Sequence, residues 1–267
     1  MKEITIEDSN NNQHTFELAE NMRELPLSNK IAFDTCNEDI ALWMKKCLED
    51  DSLMENRTYY LYLLSRSVSE FIGYPLESVM SFDASDLVDE EGNLMPNVIE
   101  KHFQELMSKD IETDLDSVDL NLSQLHTYMV QLCKDYKFEF KNKKNCEIEY
   151  AGSIWEIPYV VKKLYSGKEI FSKVSIGQAL ALFKIKKHLK SFVKEDRDLA
   201  DSDAIKNFRY TSFLKIIAAT LTKKDEEYPL DETAFDAIIT ERLTIFQEID
   251  TQSAYDIIFF LIDTMRS

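Results

Sequence analysis

Five glycines are spread over a chain of 267 residues, and that scarcity constrains the fold more than any other feature. Glycine supplies tight turns and lets backbone come close to backbone or phosphate. A chain this poor in it is ill-equipped for many short strands joined by tight turns, or for loops that cradle nucleotides. Proline is equally scarce. Long helices with an occasional hairpin are what remains. Hydrophobic residues make up 44% of the chain, enough to build a core in one large domain or two small ones.

The periodicity predicts an α+β fold, predominantly α-helical, with small antiparallel β-hairpins opening each half. Ile4 and Ile6, then Phe16 and Leu18, alternate with polar residues at the strand period around a polar turn at Asp8–Gln13. Ser28 is placed to cap a first helix running towards Leu48. Tyr60, Leu63, Leu64, Val68 and Phe71 share one helical face, and Gly73 with Pro75 ends that helix. Helices are expected over Pro96–Met107 and Ser123–Asp135. The second half opens with alternating Tyr136, Phe138 and Phe140 and a hairpin around Ala151–Ser153. Helices then follow from Ser175, over Phe208–Leu221, Asp231–Glu248 and Gln252–Thr264. Two halves result, 1–133 and 134–267. Each sets a Tyr-Pro-Leu-acid sequence after its buried helix, at Tyr74–Glu77 and Tyr228–Asp231, so duplication of one unit and coincidence both stay open.

Charge divides the chain differently. Residues 1–133 hold 9 Lys+Arg against 27 Asp+Glu, a balance of −18. Residues 134–195 are basic at +7, and 196–267 return to −7. The total of −18 argues against non-specific binding to nucleic acid or anionic membrane. No apolar stretch has the length of a membrane span, and the first residues turn polar at once, unlike a secretory leader. The four cysteines show no paired spacing, so reduced thiols and synthesis in a cytoplasm are expected.

Sequence motifs for chemistry are missing. There is no phosphate-binding glycine loop, no nucleophile elbow, no H-E-x-x-H and no zinc-spaced cysteine pair. The acidic stretch Asp83–Gly92 fails as a calcium loop, because apolar Leu87 and Val98 would fill its first and twelfth positions. His14, His102, His126 and His188 are far apart in sequence and read as ordinary surface or half-buried residues. The expectation is a non-enzyme with no catalytic residues, no cofactor, no metal and no small-molecule substrate. One candidate interaction patch stands out in the basic segment: Lys141, Lys143 and Lys144 on a turn, and Lys184, Lys186, Lys187 and Lys190 near one helix. Lysines beside strand aromatics can hold single-stranded nucleic acid. The acidic arms oppose that, and an acidic protein surface, on another copy or a partner, is the favoured counterpart, with plain solvated lysines the reading that stays open beside both.

Several stretches resemble tailed-bacteriophage morphogenesis proteins, in particular tail assembly chaperones and small neck or tail components. These are the first hairpin followed by Leu25-Pro26-Leu27-Ser28, and Leu63-Leu64-Ser65 leading to Phe71-Ile72-Gly73-Tyr74-Pro75-Leu76-Glu77. In the second half they are Ile154-Trp155-Glu156-Ile157-Pro158, Phe213–Ala219 and Glu241-Arg242-Leu243. The resemblance implies an assembly role in the cytoplasm of an infected bacterium or in the virion. Its partners would be other phage structural proteins or further copies of the chain. Three roles follow as alternatives: a chaperone or morphogenesis factor, a structural virion subunit, and a nucleic-acid-associated regulator using the basic segment.

Overall fold

The computed structural model describes residues 1–49, 58–85, 87–91, 94–107, 115, 120–137, 147–156, 161–163, 169–171, 202–223, 226 and 232–266. The fold is α+β and predominantly helical, with small antiparallel sheets. It forms two compact units. One is Met1–Leu25 with Asn29–Tyr136, and the other is Pro26–Ser28 with Lys137–Ser267.

In the first unit β1 (Lys2–Glu7) pairs antiparallel with β2 (Gln13–Leu18), with Ile4 opposite Phe16 and Lys2 opposite Leu18. The alternation read from the sequence sends Ile4, Ile6, Phe16 and Leu18 into the core and Glu3, Thr5 and Glu17 to solvent. The turn is organised by Asp8. Its carboxylate accepts the backbone N–H groups of Asn10 and Asn12, each at 2.8 Å, and the Asn12 side-chain amide at 2.9 Å. Those bonds, the Asn12 side chain foremost, hold the Asp8 carboxyl well below the usual carboxylate range.

Helix α1 spans Leu27–Glu49, α2 Thr58–Ile72, α3 Leu76–Val79, α4 Pro96–Met107 and α5 Leu122–Lys134. Helix α1 starts one residue before Ser28, which lies in its first turn. The first backbone N–H of the helix, on Leu27, already donates to the Ile249 carbonyl at 3.0 Å. The cap of α5 is Asn121. Asn121 Oδ1 accepts from the N–H groups of Ser123 and Gln124, and Gln124 Oε1 accepts from the Asn121 N–H, a reciprocal box. Gly73 ends α2 at φ +66°. After α3, Leu87 and Leu94 are buried and Val88 is bridged to Leu94.

The second unit holds β3 (Glu147–Tyr150) and β4 (Ser153–Glu156), joined at Ala151-Gly152. Both turn residues have positive φ, 49° and 70°. That two-residue turn matches the right-handed twist of the strands it joins. A second hairpin, β5 (Val161–Lys163) with β6 (Glu169–Phe171), was not legible in the sequence. Its strands are three residues each, too short for period-2 alternation to register. Helix α6 spans Ser202–Thr220, starting ahead of the Phe208 read from the sequence. Thr222–Lys223 forms β7, pairing with β4. Helices α7 (Glu232–Phe246) and α8 (Thr251–Arg266) complete the chain. On the last of these Ile257 and Ile258 are buried, and Phe259 is 46% exposed. The strand expected over 136–140, the helix expected from Ser175 and the repeat Tyr-Pro-Leu at 228–231 fall wholly or mostly outside the described residues.

Trp155 and Arg242 organise this unit. Trp155 is buried, its indole N–H donates to the Tyr150 carbonyl at 3.0 Å, and its ring meets Phe246 edge-on at 4.7 Å. Arg242 is buried against the same ring at 5.8 Å and donates to the Ala218 and Leu221 carbonyls and to Glu226. A helix end leaves its last carbonyls without partners. Here one guanidinium takes up two from the end of α6.

Candidate functional site

The first unit contains a cavity of about 780 Å³ lined by α1, α4 and α5. Ile40, Trp43 and Met44 of α1 face it, with Ile99, Phe103 and Leu106 of α4 and His126 and Val130 of α5. Helical spacing explains the set: 40, 43 and 44, like 99, 103 and 106, fall on one face of their helices. The size and the mostly apolar lining are those of ligand-binding clefts. Phe103 at 47% exposure and exposed Lys45 mark the mouth, and His126, at 1%, marks the inner end. The apolar surface continues outward. Met107 is exposed one turn beyond Phe103, and Trp43 leads through Tyr59 to Tyr62, whose stacked rings are both partly exposed.

A line of buried polar groups runs from the inner end. His126 Nε2 lies 2.7 Å from Asn37 Oδ1, which Ser67 Oγ also reaches at 3.2 Å. His126 Nδ1 lies 3.2 Å from His102 Nε2, and His102 Nδ1 lies 2.5 Å from the Tyr60 hydroxyl. Four helices meet here: Asn37 from α1, Tyr60 and Ser67 from α2, His102 from α4 and His126 from α5. Both histidines are almost wholly buried. Burial holds the His102 imidazole down at about 4, and it holds His126 well below the ordinary value, with His102 adding to the effect. Both rings are therefore neutral at pH 7.

Neutral rings fix the direction of every hydrogen bond in the line. A neutral imidazole donates at one nitrogen and accepts at the other. The Asn37 oxygen can only accept, so His126 carries its hydrogen on Nε2 and accepts at Nδ1. His102 then donates from Nε2 and accepts at Nδ1, and the Tyr60 hydroxyl donates to it. In the reverse direction the Tyr60 hydrogen would be buried with no acceptor, because His102 is its one hydrogen-bond partner among the described residues. The forward direction gives the Tyr60 hydroxyl and both imidazole N–H groups an acceptor.

This arrangement differs from the sequence reading in one respect. His14 is half-buried on β2, beside Asp8 and Tyr74, as a half-buried histidine was expected to be. His102 and His126 are instead core residues in contact. The available signal was a polar residue on an apolar stripe, His126 beside Leu122, Leu125 and Met129, and His102 beside Val98 and Ile99. Among the described residues no three His, Cys, Asp or Glu side chains converge, so the pair lacks the further ligands that a zinc site takes. The cysteines described are free thiols, and burial pushes Cys133 up to about 12. Lys141, Lys143, Lys144, Lys184, Lys186, Lys187 and Lys190 lie outside the described residues. Among the described residues no helix is long and apolar enough to cross a membrane. Compared with protein-family models, curated proteins and solved structures, the chain matches none.

Proposed function

We propose that the protein is a non-enzymatic assembly factor of the tailed-phage morphogenesis type, which holds an apolar segment of another structural protein in the cleft of its first unit. The cleft is the observation that supports this reading. Its apolar walls continue onto exposed Phe103 and Met107, the kind of surface that a partner covers. The histidines at its inner end have both nitrogens engaged and neither holds an extra proton, an arrangement suited to structure more than to acid–base chemistry. The acidic surface suits a protein that keeps an apolar partner soluble. A second reading, a virion subunit packing against its own copies, draws on the alternation of acidic and basic segments along the chain.

A photo-crosslinking phenylalanine analogue at position 103 tests the first reading, with the chain produced beside the other structural proteins of its own genome. One assembly protein should be captured from position 103 and not from exposed Glu90. Equal capture from both positions, or none, overturns the reading. Recovery of the chain in finished particles at fixed copy number would favour the second.

A further inference from the structure

We propose that the cleft selects an occupant bearing a hydrogen-bond acceptor, a carbonyl oxygen on an apolar body, and that the Asn37 carboxamide reads it. The inference rests on the reading of the cleft as the binding site for a partner segment, and it adds what that segment presents at the inner end.

A carboxamide has an oxygen that accepts and a nitrogen that donates twice. At Asn37 the oxygen is occupied by His126 Nε2–H and the Ser67 hydroxyl. The carboxamide cannot turn over, because its N–H groups would then face the hydrogen on His126 Nε2. That hydrogen is held in place by the relay back through His102 to Tyr60. The orientation of Asn37 is thus set by three helices besides its own.

The consequence lies on the other side of the amide. Asn37 is half-buried and lines the cleft, and its two hydrogen bonds among the described residues both end on its oxygen. Its two N–H donors therefore have no acceptor among the described residues. Ile40, Ala41 and Val130 share the lining and offer none, Lys45 is itself a donor, and the Glu100 carboxylate at the cleft accepts from Gln104 and not from Asn37. An occupant that is apolar throughout would strip water from these donors and return nothing, which is costly. A carbonyl placed there replaces the lost water. An ammonium or other donor-only group meets donor against donor. The side-chain amide of an Asn or Gln, or a main-chain carbonyl freed at a helix end, is the group a partner segment would bring.

Two small probes of nearly equal shape isolate this term. Equilibrium dialysis of the full chain against 2-acetylnaphthalene and 2-ethylnaphthalene compares a carbonyl with a methylene. The acetyl compound should bind about three- to ten-fold tighter, the range of one neutral hydrogen bond. In Asn37→Asp one carboxylate oxygen still accepts from His126 and Ser67, while the other turns an acceptor towards the cleft. The acetyl preference should vanish or invert there, with the ethyl compound still bound. Equal affinity for the two probes in the native chain overturns the inference and leaves the cleft as a binding site. So does an acetyl preference that persists in Asn37→Asp. Binding of neither probe overturns both readings. The native comparison stands even if the variant does not fold.

Discussion

His102 and His126 show how one type of side chain takes opposite roles by position. His14 is half-buried with its Nε2 3.2 Å from the Asp8 carboxylate, whereas the buried pair face each other and an uncharged amide. Their folded values lie below the ordinary 6.5, so the fold refuses protons that the unfolded chain accepts. Above about pH 6.5 neither state binds them and stability is at its full value. As the pH falls from 6.5 towards 4 the unfolded state gains protons and stability drops. For His102 the whole loss is about 3 kcal/mol. Urea midpoints between pH 7.5 and 4.5 should fall accordingly. The fall should shrink in His102→Leu combined with Tyr60→Phe, which removes one titrating ring and the hydroxyl that serves it. An unchanged acid limb in that variant would show that the pair does not control it.

At the scale of elements, two glycines end their turns in the same backbone region in different surroundings. Gly152 has φ +70° and open space where a Cβ would stand, so Gly152→Ala should cost the left-handed strain alone, about 1 kcal/mol. At Gly73 a Cβ would come within 3.2 Å of Asn29 Nδ2, which donates to the Phe71 carbonyl. Gly73→Ala should therefore cost more than Gly152→Ala, and chemical denaturation of the two variants checks the order. Elements of this kind were the most legible part of the chain. The first hairpin, α2 and α4 follow directly from period and punctuation. Caps were less so: α1 begins one residue ahead of Ser28, and α5 is capped by Asn121, ahead of the helix that the periodicity gave. The cleft and its relay were not legible, because Asn37, Tyr60, His102 and His126 come from four helices and share no spacing. Only packing brings them within hydrogen-bond distance.

For the whole molecule, the charge distribution makes a prediction of its own. An acidic stretch at −18, a basic one at +7 and an acidic one at −7 on the same chain allow head-to-tail association between copies. Such contacts act through roughly 30 Å at 10 mM salt and roughly 3 Å at 1 M. Light-scattering mass should therefore fall on moving from low to high salt. One mass at both salts would remove the charge-driven contact and the virion-subunit reading that draws on it.

The chain has two tryptophans, and each compact unit holds one of them. Trp43 sits in the cleft wall stacked on Tyr60, while Trp155 is enclosed with Phe246 and Arg242. The chain is thus fitted with two separate optical probes. With Trp155→Phe the remaining emission reports the first unit and anything that enters its cleft. With Trp43→Phe it reports the second, so one pair of spectra recorded through unfolding shows whether the units melt in one step or two.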